Sequence, residues 1–172
     1  TRCRSVDWHR VLLGAIFQAT GGAALSELPL KADYARRDFE RSARFHGIEF
    51  GMPPVFPIPA QAPSRIVLWA KQRDPNDAAR VAKALYRAYF VQCLDISSPD
   101  VAADAAGRAG FDRAAARAAV DDPAIKDALK REVDAAIAAG VFGSPFVIVD
   151  GEPFWGLDRF DQLDRWLATG GF

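Results

Sequence analysis

Residues 140–159 read GVFGSPFVIVDGEPFWGLDR, and this stretch restricts its own backbone more than any other part of the 172-residue chain. Asp150-Gly151 is a two-residue turn signal, and the apolar runs PFVIVD and EPFWG flank it, which predicts a β-hairpin. Gly140 reads as the stop of a preceding helix. Phe154 and Trp155 are neighbours on the second strand and point to opposite faces, so one faces the core, and Phe154 is assigned inward. Asp158 follows at once and reads as the cap of a helix over RFDQLDRWLA, with Phe160, Leu163 and Leu167 inward. Two readings of the hairpin's ends stay open. In one, Pro145 starts a strand and Asp158 caps a helix; in the other, the two are walls of a pocket.

The remainder is mostly helical. VDWHRVLLG, residues 6–14, combines alternation with β-branched and aromatic residues, which predicts a buried strand near the start. Ala32, Ala35, Phe39 and Ala43 recur at helical spacing, and Gly47 is the expected stop. The five prolines from Pro53 to Pro63 predict a stiff, extended loop. From residue 64 almost to Gly140 the pattern is helical. Ser98-Pro99 and Asp122-Pro123 each read as a capping residue followed by proline at the first helical position, where its missing N–H costs nothing. The alanine-rich run 102–119 reads as short packed helices.

Composition excludes several classes of function. Twenty-two basic and 22 acidic residues cancel, so no overall field draws the chain to nucleic acid or anionic lipid. No apolar run approaches the roughly 18 residues of a membrane span, so neither a membrane nor a nucleic acid is expected as partner. Cys3 and Cys93 are far apart and form no Cys-x-x-Cys pair, which fits a reduced, cytoplasmic setting. His9 and His46 have no metal-ligand spacing with Cys, Asp or Glu, so no metal is expected. Arg36, Arg37, Arg41 and Arg44 read as a solvated helix face.

The order strand, large helical middle, helix, hairpin, helix is that of an α/β thioredoxin-like fold with a large all-helical insertion. Within one domain, residues 1–24 and 123–172 form the thioredoxin-like part and 25–122 the insertion. The first strand and first helix of that fold have no counterpart. On GVFGSPFVIVDGEPFWGLDRFDQL, RVLLGAIFQATG and KADYARRDFERSA, the chain resembles the 2-hydroxychromene-2-carboxylate isomerases, relatives of kappa-class glutathione transferases and of DsbA-like oxidoreductases.

The resemblance implies a glutathione-dependent isomerase acting on an aromatic carboxylate, with a homodimer as the implied oligomer. It implies a cis bond before Pro145, which turns the backbone of Ser144 toward a bound peptide such as glutathione. It implies that Trp155, Gly156, Leu157 and Asp158 receive the γ-glutamyl end, and that Lys31 and Tyr34 approach the substrate. The family's catalytic serine, which follows its first strand, has no counterpart in the sequence. Gly22, Pro59 and Leu157 stand where that family often carries polar residues. Without a first strand, two strands would keep unpaired backbone groups in the core, so about 25–30 further residues are expected before Thr1 or from another molecule. Two other functions use the same scaffold: a thiol–disulfide oxidoreductase, and a non-catalytic glutathione or peptide binder.

Overall fold

The computed structural model describes residues 4–172, so Cys3 lies outside the described residues. The order is α1 (Leu13–Thr20), α2 (Lys31–Phe45), α3 (Gln61–Arg73), α4 (Pro75–Phe90), α5 (Pro99–Arg108), α6 (Arg113–Asp121), α7 (Pro123–Ala138), β1 (Phe146–Val149), β2 (Glu152–Trp155) and α8 (Phe160–Thr169). Short 3-10 turns occupy Leu25–Glu27 and Leu157–Arg159.

Aspartates and prolines set the helix starts. The carboxylate of Asp74 accepts from the Asn76 N–H, that of Asp112 from Ala115 and that of Asp122 from Ala124, at 2.9, 3.0 and 2.7 Å. Each supplies a partner to an N–H that the helix itself leaves unpaired. Pro75 and Pro123 follow two of these caps, and Pro99 opens α5 behind Ser98, whose side chain makes no capping bond. Helix α3 starts at Gln61, three residues before the sequence pattern predicts, and so takes Pro63 into its first turn.

The core is built around α3. Ile66, Val67 and Ala70 pack against Val81, Ala82 and Leu85 of α4, alanines of α5, and Ala116 and Val120 of α6. On another side, Leu68 meets Ile125, Leu129 and Val133 of α7, with Leu12 and Ala15 beside them. The loop between α2 and α3 stays irregular, as its prolines predict, and inserts Phe56 against Tyr89 and Phe90.

The hairpin forms where the sequence places it. Phe146 pairs with Trp155 and Val149 with Glu152, and Asp150 and Gly151 both have positive φ, 51° and 88°. That is the mirror-image turn whose twist suits two-residue hairpins. Phe154 is buried at 7% exposure and Trp155 is half exposed, as the alternation predicts.

Three expectations are corrected. Residues 6–12 form no strand, and α1 takes the end of the apolar run. A strand needs a neighbouring backbone to pair with, and among the described residues β1 pairs only with β2. Side chains hold the segment instead: Lys71 Nζ donates to the Trp8 carbonyl at 2.7 Å, and Glu132 accepts the Arg10 N–H at 2.9 Å. Asp158 does not cap α8, because the 3-10 turn intervenes and Arg159 stands at the helix start without a side-chain cap. Phe160 is 42% exposed, so it does not face inward. The inner contact of α8 is Trp166, edge-on to Phe154 with ring centroids 5.9 Å apart.

Ile66 has no exposed surface and lies at the centre of the larger cluster. Ile66→Ala is expected to lower unfolding free energy by about 2–5 kcal/mol, whereas Asp112→Ala at an exposed cap should cost about 1 kcal/mol. Urea unfolding midpoints at constant m-value check both.

Candidate functional site

Two features meet on one side of the molecule: the open end of the hairpin ladder near Ser144, opposite the Asp150-Gly151 turn, and an aromatic-lined hollow. The peptide bond between Ser144 and Pro145 is cis. The Pro145 carbonyl accepts the Gly156 N–H at 3.0 Å and extends the ladder by one bond. Backbone groups alternate sides along a strand, so those of Phe146 and Ile148 turn away from β2. Among the described residues, the Ser144 backbone makes no hydrogen bond.

Trp155 covers this end. Its indole lies directly on Gly143, where an added Cβ would collide with the ring, and Phe142 packs edge-on with centroids 4.9 Å apart. Gly156 then turns the chain at φ 100°. A side chain there would be strained, and its Cβ would also strike the Asp158 carboxylate, which folds back over the turn. Asp158 is exposed and pairs with Arg159 at 2.8 Å. The first N–H groups of the 3-10 turn have no partner within it, as at any helix start.

The hollow encloses about 530 Å³ between α2, the loop after it, the C-terminal half of α4, and Leu157. Phe39, Phe50, Phe56, Tyr86 and Phe90 supply its rings, with Ala43, Ile48, Val91 and Leu157 between them. Phe50 stacks on Phe90 at 5.8 Å and Phe39 meets Phe56 edge-on at 5.8 Å. The polar lining is Ser42, His46, Glu49 and Arg87, the last two paired at 3.0 Å. Tyr89 fixes the floor: its hydroxyl donates to the Val55 carbonyl at 2.7 Å and so ties α4 to the proline-rich loop. Burial, then the charge of Asp95, pushes that phenol up to about 12. A smaller hollow of about 310 Å³ lies between β2 and α8.

Ser144, Pro145, Trp155, Gly156, Leu157 and Asp158 are thus gathered around one turn, and Leu157 also lines the hollow. Lys31 and Tyr34 are exposed in the first turn of α2, whereas the hollow is lined by its C-terminal half, and they line neither hollow. Tyr34 accepts a hydrogen bond from Arg41, which lies over its ring and pairs with Asp38. The rings of the hollow come from three parts of the sequence, α2, the loop after it and α4, and no spacing rule links the three. His9, unassigned by the sequence pattern, sits 2.9 Å from Asp7 and 3.7 Å from Glu132, beside Lys71.

Comparison with known proteins places this geometry. The family profile of the DSBA-like thioredoxin domain matches residues 3–168. A 2-hydroxychromene-2-carboxylate isomerase of Pseudomonas putida is 25% identical over 163 residues, 95% of this chain and 77% of that protein. A glutathione S-transferase kappa 2 of Caenorhabditis elegans is 26% identical over 153 residues, 82% of this chain and 68% of that protein. A solved structure of a 2-hydroxychromene-2-carboxylate isomerase superposes with a TM-score of 0.83 at 22% identity, covering 93% of this chain and 78% of that one. The fold is therefore the DsbA-like thioredoxin fold, mostly helical with a two-stranded sheet among the described residues. No described helix is long and apolar enough to cross a membrane.

Tyr89 gives the site a pH signature. Its phenol ionises at about 12 when folded against the ordinary 10, so its contribution is complete below pH 10 and is lost as pH rises toward 12. Tyr89→Phe should cost about 1 kcal/mol at neutral pH, the value of one hydrogen bond. It should also remove the phenolate absorbance that develops near pH 12 in the parent.

Proposed function

The chain belongs to the DSBA-like thioredoxin domain family, and from that premise we propose that it is a glutathione-dependent isomerase of 2-hydroxychromene-2-carboxylate-type intermediates of aromatic degradation, working in the cytoplasm. The observation that carries the reading is the sharing of Leu157: one turn both holds the polar backbone near Asp158 and closes an aromatic hollow. A thiol peptide and an aromatic ligand bound at these two places would touch.

The residues present fit glutathione. The Ser144 N–H and C=O, unpaired among the described residues, offer one donor and one acceptor to an extended peptide in the manner of an added strand. The free N–H groups at the start of the 3-10 turn suit a carboxylate, and the exposed Asp158 carboxylate suits an ammonium group. Trp155, supported on Gly143 and Phe142, walls the peptide on one side. When bound, glutathione supplies a thiol nucleophile that adds reversibly to a conjugated carbon and lets an adjacent carbon–carbon bond rotate. The hollow orients the aromatic part against that nucleophile and excludes water from it. Lys31 and Tyr34, which the family resemblance gives to the substrate, stand at the N-terminal end of α2 and line neither hollow, so this proposal assigns them no part of the substrate.

A second reading, a glutathione or peptide binder without turnover, is favoured by Leu157, which brings no hydrogen-bonding side chain to the turn. Ultraviolet spectra following the interconversion of a 2-hydroxychromene-2-carboxylate with its open-chain isomer separate the two. The isomerase requires a rate that rises with glutathione, and equal rates with and without it end that reading. Calorimetric binding of glutathione without turnover favours the binder. Asp158→Asn should weaken glutathione affinity about 5- to 30-fold, as expected for loss of a charge-assisted hydrogen bond.

A further inference from the structure

We propose that Arg87 selects the ligand class of the aromatic hollow: it receives the carboxylate of an aromatic acid whose rings lie inside, exchanging Glu49 for the ligand. The inference rests on reading the hollow as the substrate site and names the residue that gives it a charge preference.

Placement is the first argument. Arg87 is the permanently charged cation among the side chains that line the hollow, and the rings of Tyr86 and Phe90 flank it on α4. Tyr86 and Phe90 stack at 6.2 Å, so the stretch of α4 that carries Arg87 also brings a pair of stacked rings to the same hollow. Lys31, the cation that the resemblance favours, is at the N-terminal end of α2 and lines neither hollow.

The state of Arg87 is the second. Its Nη1 meets one Glu49 carboxylate oxygen at 3.0 Å, and both side chains are more than 60% exposed. An exposed pair of this kind is weak, because water solvates both charges nearly as well apart. Glu49 therefore holds the guanidinium near the mouth without locking it there. A ligand whose rings are buried in the hollow presents its carboxylate at high local concentration. That carboxylate can take two parallel N–H bonds from the planar guanidinium, where Glu49 brings one oxygen near one nitrogen.

Glu49 also lines the hollow, so its charge opposes an incoming anion as well as occupying its partner. The two residues must therefore act in opposite directions on an anionic ligand and leave a neutral one of the same shape alone. A residue that merely shapes the wall would change both ligands together.

The probes are 2-naphthoate and its neutral analogue 2-naphthamide, titrated against the whole chain by calorimetry without glutathione. Arg87→Gln should weaken 2-naphthoate binding about three- to tenfold, the range of one charge-assisted contact at a wet rim. Glu49→Gln should tighten it about two- to fivefold by removing the competitor. Both variants should bind 2-naphthamide as the parent does. Equal naphthoate affinity in Arg87→Gln and parent overturns the proposal. So does weakening by Glu49→Gln, or failure of the parent to bind either probe. Loss of naphthoate binding in Lys31→Gln with Arg87→Gln unaffected would transfer the role to Lys31 and also overturn it. Because these titrations contain no glutathione and read no turnover, their outcome is separate from that of the isomerase assay.

Discussion

Helix α3 has almost no surface of its own, and the positions of the other core helices follow from how they cover it. Ile66, Val67 and Ala70 face α4, α5 and α6, while Leu68 faces α7. Much of the opposing surface is alanine, at positions 78, 82, 102, 103, 105, 106 and 116. Small side chains let helix axes approach closely, and the many short contacts replace the fewer large ones of a leucine-rich core. Such a core tolerates added volume poorly, since there is no large side chain to move aside. Covering α3 also decides where the functional parts emerge. The direction of α4 presents Tyr86, Arg87 and Phe90 to the hollow, and that of α7 decides where the hairpin leaves the core.

Features carried by neighbouring residues were legible in the sequence. Asp122-Pro123, Asp150-Gly151 and the alternation of Phe154 with Trp155 each encode a local geometry, and each occurs in the structure. The cap expected at Asp158 does not form because the same local grammar admits a 3-10 turn first, with Gly156 at φ 100° leading into it. Leu30 gave no signal at all: it precedes α2 with φ 67°, a conformation that favours glycine or asparagine, and its side chain is 98% exposed. Residues 6–12 carry the composition of a buried strand, but composition does not supply a pairing neighbour. There, side chains of Lys71 and Glu132 take over the role of a ladder.

The candidate site was half legible for the same reason. Ser144 to Asp158 lie within one turn and its strands, so a motif of contiguous residues carries them. The hollow joins Phe39, Phe56, Phe90 and Leu157, residues whose proximity exists only once α3 has been covered. Tyr89 is a case of both: its i, i+4 spacing from Leu85 puts it on the inner stripe of α4, whereas its bond to the Val55 carbonyl depends on the path of the proline-rich loop.

Leu157 decides how the two parts of the site divide their work. The residue is 43% exposed, so a polar side chain there would stay solvated at the mouth and would interrupt the apolar lining. Leucine instead continues the apolar wall from Phe39 to the turn, so charge is confined to the rim as the pairs Arg87–Glu49 and Asp158–Arg159. Those pairs are exposed and exchange partners at little cost. The floor beneath them does not exchange, because Tyr89 is buried and bonded, with Phe56 stacked on it and Phe90 tilted against it. A site of this construction draws affinity from burying rings on a rigid floor and selectivity from which charges the rim can trade, so rim substitutions should alter ligand preference without loosening the fold.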